Sequence, residues 1–170
     1  MAVVRSSLDL IVLAVRDQLA TILREDTSHV RIVDGDEEFE DTVAEQYLCL
    51  WPGDEGPVDA IVMGGGRVDG RLAAMLKVWV RTRNALDATG DAESWLTDPQ
   101  RGHLAFRAAI WDALLIFLPV DANGNGLCVQ PLWPGRATSP RRRKKNDIEW
   151  GESLMTFTAI YEASVDQGMQ

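Results

Sequence analysis

The chain has 170 residues, with 26 Asp or Glu against 17 Lys or Arg, for a formal charge of −9. A 46% hydrophobic and 25% charged composition excludes a disordered chain, and the length suits a single domain over 1–170 with one sizeable core. Acidity on this scale argues against a general nucleic-acid binder, which needs positive charge to displace counterions. The charge is unevenly placed: ten acids and no base fall between Asp34 and Asp59, and the other sixteen acids nearly balance the 17 bases.

In chain order, Ser6 and Ser7 precede Leu8, Ile11, Val12, Val15, Leu19, Ile22 and Leu23, an apolar series at helical steps, with Ser6 and Asp9 placed roughly as a capping box. His29 to Val33 reads as a short strand, and Glu45 to Trp51 as another that Pro52-Gly53 closes. Val58 to Met63 is a short apolar strand candidate, joined through Gly64-Gly65-Gly66 to the clearest strand, Arg71 to Arg83. There Leu72, Ala74, Leu76, Val78 and Val80 alternate with a mixed face containing Lys77, Trp79 and Arg81.

Asn84 to Thr97 reads as a polar loop or short helix. Asp98-Pro99 then starts a second long helix, with Asp98 as N-cap, running to a stop at Pro119. Its apolar residues leave little polar surface, so it packs on the sheet. Asn123 to Gly126 is a turn into a strand over Leu127 to Trp133. The excursion 134–147 reads as a basic loop containing Arg136, Arg141, Arg142, Arg143, Lys144 and Lys145, and Gly151 to Val165 is a closing strand with clear alternation. This order predicts an α+β domain, a mainly antiparallel sheet with two helices packed on one face.

Cys49 and Cys128 lie in apolar runs and are expected to be buried free thiols in a reducing compartment. Arg16 and Asp17 interrupt the first apolar patch and no small-residue cleavage site follows, so a signal peptide is not expected. Leu104 to Leu118 is too short and too charged to span a bilayer, and cytoplasmic synthesis is the expectation.

Each candidate for chemistry has a plainer explanation. Asp121-Ala-Asn123-Gly-Asn125-Gly126 matches the first half of a calcium loop, but Leu132 stands at the twelfth position, where a bidentate Glu is needed. Gly64-Gly65-Gly66 lacks the Lys-Ser/Thr of a phosphate loop, and a strand follows it rather than a helix. His29, His103, Cys49 and Cys128 lack the paired spacing of a zinc site, and no Ser or Cys lies in a nucleophile-elbow context. Asp36, Glu37, Glu38, Glu40 and Asp41 crowd one segment and read as a solvated or partner-facing run. No catalytic residue, metal or cofactor is assigned. The five consecutive cations Arg141 to Lys145 fit a solvated loop, a nucleic acid, a phosphate or an acidic protein surface. Paired with the acidic run, they suit a head-to-tail ring in which one patch meets a different patch on the next copy.

The opening helix, with Leu8-Asp9-Leu10-Ile11 and Val15-Arg16-Asp17-Gln18-Leu19, is followed by the strand Ala74-Met75-Leu76-Lys77-Val78-Trp79-Val80, the helix His103 to Leu118 and the strand Leu154 to Glu162. Together they resemble the tail terminator proteins of long-tailed bacteriophages, small α+β subunits that form a hexameric ring on the tail tube and face the head. The resemblance covers most of the chain as a pattern without a diagnostic motif. Head–tail adaptors and tail completion factors share it. It implies a virion structural protein, not an enzyme, that ends tube polymerisation and joins the tail to the head. The implied partners are further copies of the chain, the tail tube protein, a head-completion or connector protein and, in passing, DNA in the lumen, with no membrane. The acidic segment 34–59 and the run Arg141 to Lys145 have no counterpart in the family pattern. The contact residues expected are those two charged runs, Arg136, and the exposed face of the long strand at Lys77, Trp79 and Arg81; six tryptophans exceed the needs of a small core. The alternatives are a soluble small-ligand or calcium-binding protein using the glycine-rich and Asn-Gly loops, or a different neck component such as a head–tail adaptor or tail completion factor.

Overall fold

The computed structural model describes residues 7–23, 29–33, 46–63, 67–83, 94–100, 102–145 and 148–166. Among these residues three helices, α1 (Ser7–Ala20), α2 (Ser94–Thr97) and α3 (His103–Leu114), accompany six strands. These are β1 (His29–Ile32), β2 (Gln46–Met63), β3 (Arg67–Arg83), β4 (Trp133–Ala137), β5 (Arg141–Lys145) and β6 (Ile148–Asp166). They form one sheet in the order β1-β2-β3-β6-β4, with β5 also paired to β6. All pairings are antiparallel except β1 with β2. The chain is therefore α+β with a mixed, mostly antiparallel sheet, the class its element order implies.

Strand periodicity decides which side chains go where. On β3, Ala74, Leu76, Val78 and Val80 are buried, and their register partners Leu50, Leu48, Met155, Phe157 and Ala159 share that face. Ile11, Val12, Val15 and Leu19 of α1 and Phe106, Ile110 and Leu114 of α3 close over them in one core. Trp111 meets Phe157 edge-on at 5.1 Å between ring centroids, an arrangement aromatic quadrupoles favour. The opposite face carries a smaller cluster of Val33, Tyr47, Cys49 and Trp51, with Trp79 and Leu154 against it.

Several boundaries differ from expectation. Pro52-Gly53 does not close β2: register shifts between Pro52 and Glu55 and between Pro57 and Asp59 absorb the prolines, and the strand continues to pair β3 through Met63 opposite Arg67. Asp98 is not the cap of α3. Its carboxylate accepts the Gln100 N–H at 2.8 Å and its carbonyl accepts that of Gly102 at 2.9 Å, giving a separate turn before the helix. Gly102 caps α3 in an extended conformation, where a Cβ would lie 2.5 Å from the Asp98 carbonyl oxygen. The helix ends at Leu114, short of Pro119. Residues 127–131 are irregular rather than a strand, although Val129 N–H still donates to Ile160 O at 2.9 Å. The expected basic loop 134–147 is instead largely two short strands end to end along β6, because β6 offers an open edge at Ile148–Glu152 and again at Met155–Thr158. Ser6, half of the expected capping box, lies outside the described residues.

Candidate functional site

The pairing of β5 with β6 sorts the cations. Directly opposed residues share a face, so Arg141 stands with Glu152 and Arg143 with Trp150, whereas Arg142 and Lys144 stand with Gly151 and Glu149 on the other side. Glu149 accepts hydrogen bonds from Arg142, with the Nε contact at 2.9 Å, and has Lys144 Nζ at 4.0 Å. On the side opposite α1 and α3, Arg143 Nε donates to Glu152 Oε1 at 2.7 Å, and Trp150 Nε1 donates to Glu152 Oε2 at 3.3 Å. Among the described residues Arg141, which is exposed, pairs with no carboxylate.

A cleft of about 290 Å³ opens on this side. Its floor is apolar, from Trp51, Trp79 and Leu154, and its rim is polar, from Thr138, Ser139, Arg141, Arg143 and the Glu152 carboxylate that Arg143 binds. The two tryptophan rings lie 6.3 Å apart and tilted at 49°. The rim is held firmly: Thr138 N–H donates to Leu154 O and Leu154 N–H donates to Thr138 Oγ1, both at 2.9 Å. Arg107 of α3 adds a donor to Thr138 O at 3.2 Å. At Gly135 a Cβ would collide with Thr156 Oγ1, so β4 can approach β6 this closely only with glycine there. Floor and rim together combine aromatic area, hydroxyls and two guanidinium groups, one engaged by Glu152 and one, Arg141, with no carboxylate among the described residues, a chemistry suited to a partner that brings a carboxylate and an apolar anchor.

Not every expected contact residue is available. Arg81 is 7% exposed, with its guanidinium carbon 3.7 Å from the centre of the Trp150 ring, so it is a buried stacking partner and not part of an exposed face. Lys77 and Trp79 are half-buried, and Arg136 is exposed on β4. Arg141, Arg142, Arg143 and Lys144 are exposed, and Lys145 pairs with Ile148 through the backbone. Asp36, Glu37, Glu38, Glu40 and Asp41 lie outside the described residues. Trp51, Thr138, Glu152 and Leu154 were not among the expected contacts; for Leu154 and Glu152 the alternation of β6 is the signal that puts them on one face, but only the register brings Trp79 beside Leu154.

A second cluster is polar and closed. His103 contacts Thr82 Oγ1 through Nδ1 and Ser153 Oγ through Nε2, each at 2.8 Å, with the Trp95 ring 6.2 Å away. Burial, with the Arg107 charge as a smaller cause, pushes this imidazole down to about 4. His103 has no exposed surface, and Ser153 and Thr82 are buried with it. A serine hydroxyl beside a neutral imidazole has the spacing of a nucleophile and its base, but here no substrate reaches it, and the triplet is a satisfied polar node in the core.

The remaining motifs resolve locally. Asp121 Oδ1 accepts the N–H groups of Asn123 and Asn125 at 2.8 Å, and Oδ2 accepts Asn125 Nδ2 at 3.0 Å. These bonds, led by Asn125, hold its carboxyl below the usual range, and Gly124 takes φ +83° at the tip. The carboxylate is thus engaged by its own turn. Both cysteines are free and buried, and burial pushes the Cys128 thiol up to about 11. Among the described residues no three His, Cys, Asp or Glu side chains form a metal-holding group, and no helix is long and apolar enough to cross a membrane.

Exposed apolar side chains gather in the segment after α3 and at the start of β4: Ile116 is 81% exposed and Trp133 65%, with Val120, Val129 and Leu118 also open. This segment is folded rather than frayed, since Leu132 N–H donates to Phe117 O at 3.2 Å and Leu127 N–H to Pro119 O at 2.8 Å. No family model and no curated protein matches the sequence.

Proposed function

We propose that this protein is a structural subunit of a long-tailed phage virion. It closes into a ring, a homohexamer by the resemblance, at the top of the tail, where it ends the tail tube and offers a docking surface to the head connector. Its work is binding rather than catalysis. The observation that supports the reading is the presence of two unlike exposed surfaces on one small domain. One is the arginine-rimmed tryptophan cleft on the face opposite α1 and α3, and the other is the exposed apolar segment around Ile116 and Trp133. A head-to-tail ring needs such a pair, because each subunit presents a different patch to each neighbour. Apolar groups this exposed are also typical of protein contact sites, as are tryptophan and arginine together.

The test is the assembly state of the purified chain, by sedimentation and negative-stain microscopy, alone and after incubation with phage tail tubes. The reading expects rings, either free or capping one end of the tube. A chain that stays monomeric in both settings and leaves tube ends bare overturns it.

A further inference from the structure

We infer that the cleft between Trp79 and Arg141 receives the acidic segment Asp36-Glu37-Glu38-Phe39-Glu40-Asp41 of a neighbouring copy. The inference rests on the ring reading and names the contact that closes the ring.

Three features of the cleft select this occupant. Arg142 and Lys144 meet Glu149, and Arg143 meets Glu152, but among the described residues Arg141 has no carboxylate. Its charge at the rim is open to a carboxylate from outside the described residues. Next, the floor of Trp51, Trp79 and Leu154 offers an apolar recess with room for one aromatic side chain. Finally, two cations of β5, Arg141 and Arg143, line the cleft, while residues 36–41 hold five acids and no base, so cleft and segment are complementary within one sequence.

The segment 36–41 has the composition the cleft asks for. Phe39 is flanked by Glu38 and Glu40, with Glu37, Asp36 and Asp41 beyond them. An aromatic anchor seated on the tryptophan floor supplies affinity, while carboxylates meeting Arg141 set orientation and speed encounter. The competing use of the cations, contact with DNA phosphates, makes no demand for an apolar floor between them.

The experiment is sedimentation velocity over a concentration series, with circular dichroism and melting to confirm that each variant folds. Four variants are compared with wild type. R141E with R143E reverses the cleft rim, and E37K with E38K reverses the segment. R142E with K144E makes the same change in net charge on the other side of β5, and Phe39→Ser removes the anchor without touching charge. Either of the first two is expected to weaken self-association by about tenfold or more, as is Phe39→Ser, while R142E with K144E weakens it far less. Mixing the first two variants one to one restores association, because each then offers the other a complementary arm and cleft.

Equal weakening by R142E with K144E overturns the contact, as does failure of the mixture to restore association. If R141E with R143E lowers only the melting temperature of a monomer, the segment folds onto its own cleft, which also overturns it. A wild type that associates while all variants associate equally overturns this contact and leaves the ring reading standing. A wild type that remains monomeric, with or without tail tubes, defeats both.

Discussion

The two faces of the sheet are built from the same strands, and residue by residue they do different things. On the helix-covered face Leu50, Leu76, Val78 and Phe157 have no exposed surface, and helices α1 and α3 surround them with further apolar groups. One position along each strand, Trp51, Trp79 and Leu154 form a smaller cluster that stops at Arg141, Arg143 and Glu152. The backbone is shared, so the contrast comes from what lies above each face. Two helices seal one side, and no helix among the described residues packs on the other. Alternation lets one strand serve the core with its even residues and a contact surface with its odd ones, so either set can change with limited cost to the other.

This contrast can be broken by measurement. The largest effect is expected from Phe157→Ala, which empties the centre of the sealed face and should cost ~3–5 kcal/mol in denaturant unfolding. A loss below ~1 kcal/mol there means that the face is not close-packed.

Next is the pH response of the buried imidazole. In the folded chain His103 stays neutral down to about 4, whereas an unfolded histidine takes its proton near 6.5. Between these values only the unfolded chain binds the proton. Stability is therefore full above 6.5 and declines as pH falls towards 4, by roughly 3 kcal/mol in total. His103→Gln should lack this part of the slope, and identical pH dependence in the two proteins contradicts a buried neutral histidine.

Trp79→Ala on the open face should cost only ~1–2 kcal/mol of stability while impairing self-association. Destabilisation as large as that of Phe157→Ala makes the second face another core. The smallest effect belongs to Arg142→Ala. Its pair with Glu149 is solvent-exposed, and unfolding experiments should register ~0–1 kcal/mol.

Much of the sealed face is readable along the chain. The run Leu8 to Leu23 and the alternation of residues 72–80 and 154–162 each carry their period, and α1, β3 and β6 appear where those periods place them. The open face is far less readable. Arg81 shares strand parity with Lys77 and Trp79, and nothing nearby in the chain announces that Trp150 will stack on it across the sheet. Arg141 to Lys145 has the composition of a solvated run, yet it becomes a strand because β6 supplies both an unpaired edge and the carboxylates Glu149 and Glu152. Asp98 has the chemistry of an N-cap, but the turn closed by Gly102 engages its carboxylate first.

The sequence by itself determined the class of the fold, the core faces of α1, β3 and β6, and the separation of an acidic from a basic segment, since each is written in local period or composition. Only the tertiary structure decided that Arg81 is buried, that the cations divide between two sides of β5, and that Arg141, among the described residues, stands without a carboxylate beside a tryptophan floor. Those outcomes depend on register between strands far apart in the chain, where a shift of one residue moves every side chain to the opposite face.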